Sequence, residues 1–306
     1  MIGTWLAHTL RARGDDVYIL TRGKPVFGGE LQWNPLKNIP KVEVLEGMDA
    51  VVHLAGAPIA DRPWTKARRT VLRDSRIQCT KILLRELSRL KSPPKHFIGC
   101  GGLGRFGDRG EELLDDDDEA GTGFLADLAV DWEEAQMKAT TLGCRTAVLR
   151  MSIVLSPTGG AFPLMVKPFR VGIGGWLGNG RQHTSWISIR DAVGAFAFLL
   201  DNVTCVGGFN GTAPEASRNK EWCKALGRVL NRPVLTHAPK WALRGALGEL
   251  ADDLFLASLR PIPRKLQQAG YKFVDSDIEA TFRWLVDELD NDGPSMKYAP
   301  AARKRR

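Results

Sequence analysis

Over the first two-thirds of the chain, short unbroken apolar runs alternate with longer stretches in which apolar residues recur every three to four positions. The runs VYILT (Val17–Thr21), AVVHLAG (Ala50–Gly56), HFIG (His96–Gly99) and TAVLRMSIVL (Thr146–Leu155) are rich in β-branched residues. Continuous runs of this kind suit strands buried on both faces of a parallel sheet. Gly3 to Arg13 carries Trp5, Leu6 and Leu10 on one helical stripe, with Gly14 as its stop. A longer helical stretch runs from about Thr65 to Leu90, where Pro93 and Pro94 forbid continuation. Thr122 is placed to cap another, ending near Leu142.

The alternation implies right-handed strand–helix–strand crossovers, and so an α/β fold: a Rossmann-like, doubly wound parallel sheet with a smaller C-terminal α/β lobe. In such sheets ligands bind beyond the carboxyl ends of the strands. The texture changes after Ser156, where seven glycines crowd between Gly159 and Gly180. Helix-like segments follow at Arg218–Leu230, Lys240–Ser258 and Asp277–Leu289. The expected division is residues 1–210 as a dinucleotide-binding domain, 211–290 as a lobe closing over the cleft, and 291–306 as a basic, solvated tail.

Charge narrows the function classes. The formal net charge is +8, but Lys297, Arg303, Lys304, Arg305 and Arg306 supply more than half of it, so the body offers little phosphate-tracking surface. KYAPAARKRR has one tyrosine and no aromatic partner for stacking bases. No nucleic-acid partner is therefore expected. No apolar run is long enough to span a bilayer, and the N-terminus lacks a signal-peptide cleavage pattern. Five scattered cysteines without metal-ligand spacing suggest reduced thiols in a cytoplasmic protein, with no metal site. The acidic run Asp115–Glu119 reads as a solvated loop.

The stretch LRMSIVLSPTGGAFPLMVKPFRVGIGGWLGNGRQHTSWISIRDAVGAFAFLL resembles the nucleoside-diphosphate-sugar epimerase branch of the extended short-chain dehydrogenases. Further on, APKWALRGALGELADDLFLASLRPIPRKLQQAGYKF resembles the C-terminal domain of unknown function that ends those proteins. The resemblance implies an NADP cofactor and a small-molecule substrate, nucleotide-linked or free, with the oligomeric state open. Its Thr/Ser-Arg pair after the second strand corresponds to Thr21-Arg22. A guanidinium there can fork onto a ribose 2′-phosphate. The turn Leu54-Ala55-Gly56 corresponds to the backbone wall along the cofactor. Arg76 corresponds to an arginine directed at the cofactor, with an ion pair across the sheet as the alternative. Val154, after Ile153, matches the strand end near the nicotinamide.

Two departures qualify the resemblance. The family opens with a buried strand and a Gly-rich turn, and Met1-Ile2-Gly3 matches only the last three positions of that motif. Gly3, which the resemblance places at the cofactor, is then the one glycine of that loop left; the glycines that approach the pyrophosphate and the first strand are missing. Either coding sequence upstream restores the strand, or the copy has decayed; without the strand, weak dinucleotide binding and an exposed edge at Val17–Thr21 are expected. The second departure is chemical. The three tyrosines, Tyr18, Tyr271 and Tyr298, are followed four residues later by Arg22, Asp275 and Ala302, so no Tyr-x-x-x-Lys pair exists. That pair normally tunes a tyrosine for proton transfer. The positions for the assisting serine fall at Gly99 and Gly101. Glu133 and Glu134 read as a solvated helix face and Cys100 as a small buried thiol. Arg105 and Arg181 are candidates for holding an anion, and His183 is the remaining proton-transfer candidate. Catalytic residues are therefore unassigned. An epimerase or oxidoreductase without the usual pair stands beside a dinucleotide sensor or carrier that has lost its chemistry.

Overall fold

The computed structural model describes residues 1–25, 29–36 and 45–291; the expected basic tail lies outside them. The chain runs through α1 (Ile2–Ala12), β1 (Ile19–Thr21), β2 (Glu30–Gln32), β3 (Ala50–His53), α2 (Lys66–Arg73), α3 (Cys79–Leu87), β4 (His96–Gly102), β5 (Leu113–Leu114), α4 (Phe124–Met137), β6 (Arg145–Met151), β7 (Ile153–Ser156), β8 (Gly159–Gly160), α5 (Phe162–Arg170) and β9 (Gly175–Leu177). It continues through β10 (His183–Thr184), β11 (Trp186–Ser188), α6 (Ile189–Asp201), β12 (Gly207–Gly211), β13 (Ser217–Arg218), α7 (Asn219–Val229), β14 (Thr236–Ala238), α8 (Lys240–Leu247), β15 (Arg260–Pro261), α9 (Arg264–Gln268) and α10 (Ile278–Asp290).

Three of the four apolar runs, as β3, β4 and β6, form a parallel sheet with β12, in the order β12–β6–β4–β3. Helices cover both faces, as a doubly wound fold requires. On one side Trp5, Leu6 and Leu10 of α1 join Val193 and Phe196 of α6 against Ile98, Ala147 and Leu149. On the other, Leu83, Leu84 and Leu87 of α3 pack on Phe97, and Trp132 of α4 packs with Leu72 and Ile77. β1 and β2 form a separate parallel pair. β1 and β3 are each paired on one side only, and no described strand lies between them. Their residues are correspondingly half-buried, apart from the enclosed His53, whereas the middle of β4 and of β6 is buried almost throughout. Among the described residues, β1–β2 and β12–β6–β4–β3 are thus separate sheets.

Several local expectations are corrected. TAVLRMSIVL is two strands, because the backbone N–H and hydroxyl of Ser152 both donate to Gly211 O, at 3.0 and 2.9 Å. That anchor sends β7 into a second small sheet with β11 and β8. The long helix from Thr65, whose hydroxyl caps it, widens into a π turn at Asp74–Gln78 before α3. The helix expected over 240–258 stops at Gly248, whose φ of +60° ends α8, and a π turn follows at Ala251–Leu256. The acidic run is no solvated loop. Asp116 is 1% exposed and accepts from the N–H groups of Asn210 and Lys265, while Asp115 and Asp117 pair with Arg264 and Lys265. The C-terminal lobe gathers around Trp222, Phe282 and Leu285, and β15 pairs with β5 to tie it to the loop after β4.

Candidate functional site

The carboxyl ends of the strands collect most of the residues singled out in the sequence. α1 begins there: a Cβ on Gly3 would sit 3.6 Å from Leu54 Cδ1, and Met1 packs on Gly160. The first N–H groups of a helix lack intrahelical acceptors and draw anions. Leu54 and Ala55 are half-buried and Gly56 is exposed, so the turn offers bare backbone. Arg76, in the π turn, is 7% exposed. Its guanidinium donates to Ala57 O at 3.0 Å and Leu72 O at 3.2 Å, and lies 5.0 Å from the Trp132 ring centroid. A Cβ on Gly56 would come within 3.2 Å of it. No carboxylate pairs with Arg76 among the described residues; burial lowers it to about 10, with Cys100 opposing and Arg68 adding to the fall. The expected alternative, an ion pair across the sheet, is not formed. Arg22 is exposed just past β1, and Thr21 Oγ1 receives the Gly23 N–H at 3.4 Å. Val154 is half-buried on β7, against the same core as Leu54.

The face of α4 turned to the sheet carries Leu125, Ala129, Trp132 and Gln136, and its ionisable group, Glu133, is taken up by Arg150 of β6. Gln136 donates to Cys100 O at 2.9 Å, and its Oε1 is buried without a partner. A Cβ on Gly99 would collide with that amide, and one on Gly101 would meet Val148 Cγ1 at 3.0 Å; only Gly102 faces open space. Cys100 is enclosed enough that burial pushes its thiol up to about 12. Glu133 is not a solvated residue: its carboxylate holds Arg150 through two bonds of 2.7 and 2.6 Å, with the residues 15% and 6% exposed. Glu134 does remain exposed. His183 is buried, and there Ser258 Oγ receives its backbone N–H and Glu111 stands 3.8 Å from Nδ1. Burial, ahead of the opposing Glu111, lowers its pKa. Tyr271 is locked on Asp191, to which its hydroxyl donates at 3.0 Å. Arg105, half-buried in the turn after β4, keeps a buried Nε without a partner.

Sequence reasoning missed a cavity of about 240 Å³ between the lobes. Its Rossmann-side wall is Gly104, Gly107, Asp108, Thr122, Leu125 and Ala126, and the opposite wall includes Lys240, Arg244, Asp252 and Asp253. α4 starts from Gly123, not Thr122, and its own residues provide no side-chain cap. The cap comes from across the cleft, where Asp253 Oδ2 accepts from Leu125 N at 3.2 Å. An interaction over 128 positions leaves no local signature in the sequence.

Residues 1–209 match the model of the NAD dependent epimerase/dehydratase family. The chain belongs to that family. Residues 238–285 match a domain of unknown function, DUF1731, which covers the C-terminal lobe from β14 to α10. An epimerase family protein of Mycobacterium bovis is 40% identical over 273 residues, 89% of this chain and 90% of its own length. The chloroplastic SDR39U1 homolog of Arabidopsis thaliana is 32% identical over 296 residues, 93% of this chain and 84% of its own. The crystal structure of human epimerase family protein SDR39U1 with NADPH superposes with a TM-score of 0.85 at 27% identity, covering 94% of this chain and 97% of that one. The Rossmann-like fold and the family that the sequence suggested are both confirmed. No helix among the described residues is long and apolar enough to cross a membrane.

Proposed function

We propose that this member of the family binds NADP(H) at the carboxyl edge of the sheet and that any hydride chemistry it performs bypasses a Tyr-x-x-x-Lys pair. The observation that carries the reading is Arg76, a buried cation without a carboxylate partner, set beside the Leu54–Gly56 turn. Burying an unpaired charge is costly, and an anionic ligand would offset that cost. The start of α1 adds N–H groups on the same edge, and Arg22 adds an exposed guanidinium for a 2′-phosphate. The relative solved with NADPH supports the same cofactor. When bound, the nicotinamide would supply or accept hydride. The five cysteines are unpaired, which suits a reducing compartment such as the cytoplasm.

A second reading, a dinucleotide sensor or carrier without chemistry, is favoured by α4, whose sheet-facing carboxylate, Glu133, is committed to Arg150. Calorimetric titration tests the first step common to both. NADPH is expected to bind more tightly than NADH, and Arg22→Asp to weaken NADPH by about ten- to a hundredfold while sparing NADH. Equal affinity of the parent protein for the two cofactors would overturn the NADP assignment.

A further inference from the structure

We infer that the cavity between the lobes is the substrate site and that Asp253, reaching in from the C-terminal lobe, takes up or delivers the proton of a substrate hydroxyl. The inference rests on the dinucleotide reading and adds to it a substrate class and a proton-handling residue.

The cavity opens beside the carboxyl end of β4 and the start of α4. Gly104 follows β4 within two residues, and Leu125 and Ala126 are in the first turn of α4, the helix beside the strand ends. α4 gives this space only apolar side chains, so proton transfer has to come from the rest of its lining. Three carboxylates line the cavity, and their bonding separates them. Asp252 is held through both oxygens by Arg244, at 2.9 to 3.1 Å. Asp108 is exposed and spends Oδ1 on the N–H groups of Gly110 and Ser258. Asp253 is half-buried, spends Oδ2 on Leu125 N, and keeps Oδ1 without a partner among the described residues. Burial raises its carboxyl pKa, with Glu249 and Asp252 adding to the rise and Leu125 N–H and Arg69 opposing it. Lys240 and Arg244 are the cations on the same wall.

The volume sets the substrate class. At about 240 Å³ the cavity lies below the roughly 300–1,000 Å³ of sites for drug-sized ligands. It suits a small hydroxylated or keto compound without a nucleotide. In the oxidative direction the substrate O–H bond breaks and its proton passes to the Asp253 carboxylate. The adjacent C–H bond breaks with its electron pair leaving as hydride, accepted by the oxidised nicotinamide dinucleotide, and the carbon is left as a carbonyl. The reductive direction reverses each transfer, so Asp253 must then start protonated.

The test uses the full chain with NADPH and three small carbonyls, dihydroxyacetone, DL-glyceraldehyde and xylulose, and with NADP⁺ and UDP-glucose, whose hydroxyls can only donate hydride. At least one small carbonyl should consume NADPH, and UDP-glucose should not reduce NADP⁺. The rate should fall as pH rises through the raised Asp253 pKa. D253N keeps an oxygen to accept from Leu125 N, so thermal stability and NADPH affinity should hold. The rate should drop by about 10²–10⁴-fold and its pH dependence disappear. A second readout needs no turnover: in ¹³C NMR the Asp253 carboxyl, assigned by its loss in D253N, should titrate above the ordinary aspartate range and shift when the active probe is added. Unchanged rate and pH profile in D253N would overturn the inference. So would turnover of UDP-glucose alone, or NADPH binding with neither turnover nor a carboxyl shift from any probe. Failure of the parent protein to bind NADPH would overturn the dinucleotide reading, and this one with it.

Discussion

His53 shows how a single buried residue couples stability to pH. It ends β3, is 3% exposed, and hydrogen-bonds Thr80 Oγ1 at 3.0 Å. Burial pushes its imidazole down to about 4 from an ordinary 6.5. Below pH 6.5 the unfolded chain gains a proton that the folded chain refuses. Stability is therefore fully present above that pH and is lost as pH falls toward 4, by about 3 kcal/mol across the window. His53→Gln, which keeps a hydrogen-bonding side chain, should flatten the urea-unfolding free energy over that window relative to the parent; parallel curves would refute the assignment. Glu133 makes a different demand. Breaking a buried ion pair leaves one charge uncompensated, so Glu133→Ala should cost roughly 3–5 kcal/mol in the same assay. Neither environment was legible in the sequence. Glu133 looked like half of a solvated pair because its partner, Arg150, is 17 positions away, and Asp116 looked solvated because its partners are near 210 and 265. A charge reports its own identity, not the company that folding brings to it. The placement of Arg22 and Gly56 was legible, because the apolar runs before them end in β1 and β3, just ahead of both residues.

Elements were legible where the apolar period was long and failed where a tertiary contact ended them. β4, β6 and α1 follow from their patterns. The start of α4 does not, because Asp253 caps it from another lobe, and the split between β6 and β7 does not, because Gly211 makes it. The loop that brings the chain from β4 to α4 is itself tightly built. Gly121 N–H donates to Arg105 O at 2.8 Å, and a Cβ on Gly121 would collide with the Phe106 carbonyl. Gly107, at φ +63°, packs against Thr122 in the same turn. Backbone cannot yield as a flexible side chain does, so Gly121→Ala should destabilise by about 1–3 kcal/mol. Because Gly107 and Thr122 line the inter-lobe cavity, the variant should also disturb whatever that cavity binds. A thermal melt indistinguishable from the parent would show that the loop relaxes freely.

At the scale of the whole molecule the sheet is continuous on one side of β3 and interrupted on the other. Hydrogen bonds show which amides face the interruption. Ile19 N and Thr21 O bond toward β2, through Gly29 O and Trp33 N, so the backbone of Leu20 points away from β2. Asp49 O accepts from His96 N on the β4 side, so Ala50 and Val52 point the other way. Leu20 and Val52 are half-buried, and each packs on a helical layer shared with β4, Leu20 with Phe97 and Val52 with Ile98. Side-chain packing, with no ladder among the described strands, therefore joins the β1–β2 pair to the main sheet. Local stability follows ladder bonds and burial, and segments short of both open well below the global unfolding free energy. The amides of Leu20 and Val52 should exchange with deuterium faster than those of Ile98 and Val148 by about two orders of magnitude or more. Open edges also template pairing between molecules, so exchange at these two positions should slow as protein concentration rises, while Ile98 and Val148 stay constant. Uniform protection across β1, β3, β4 and β6 at low concentration would show that the interruption is closed in solution.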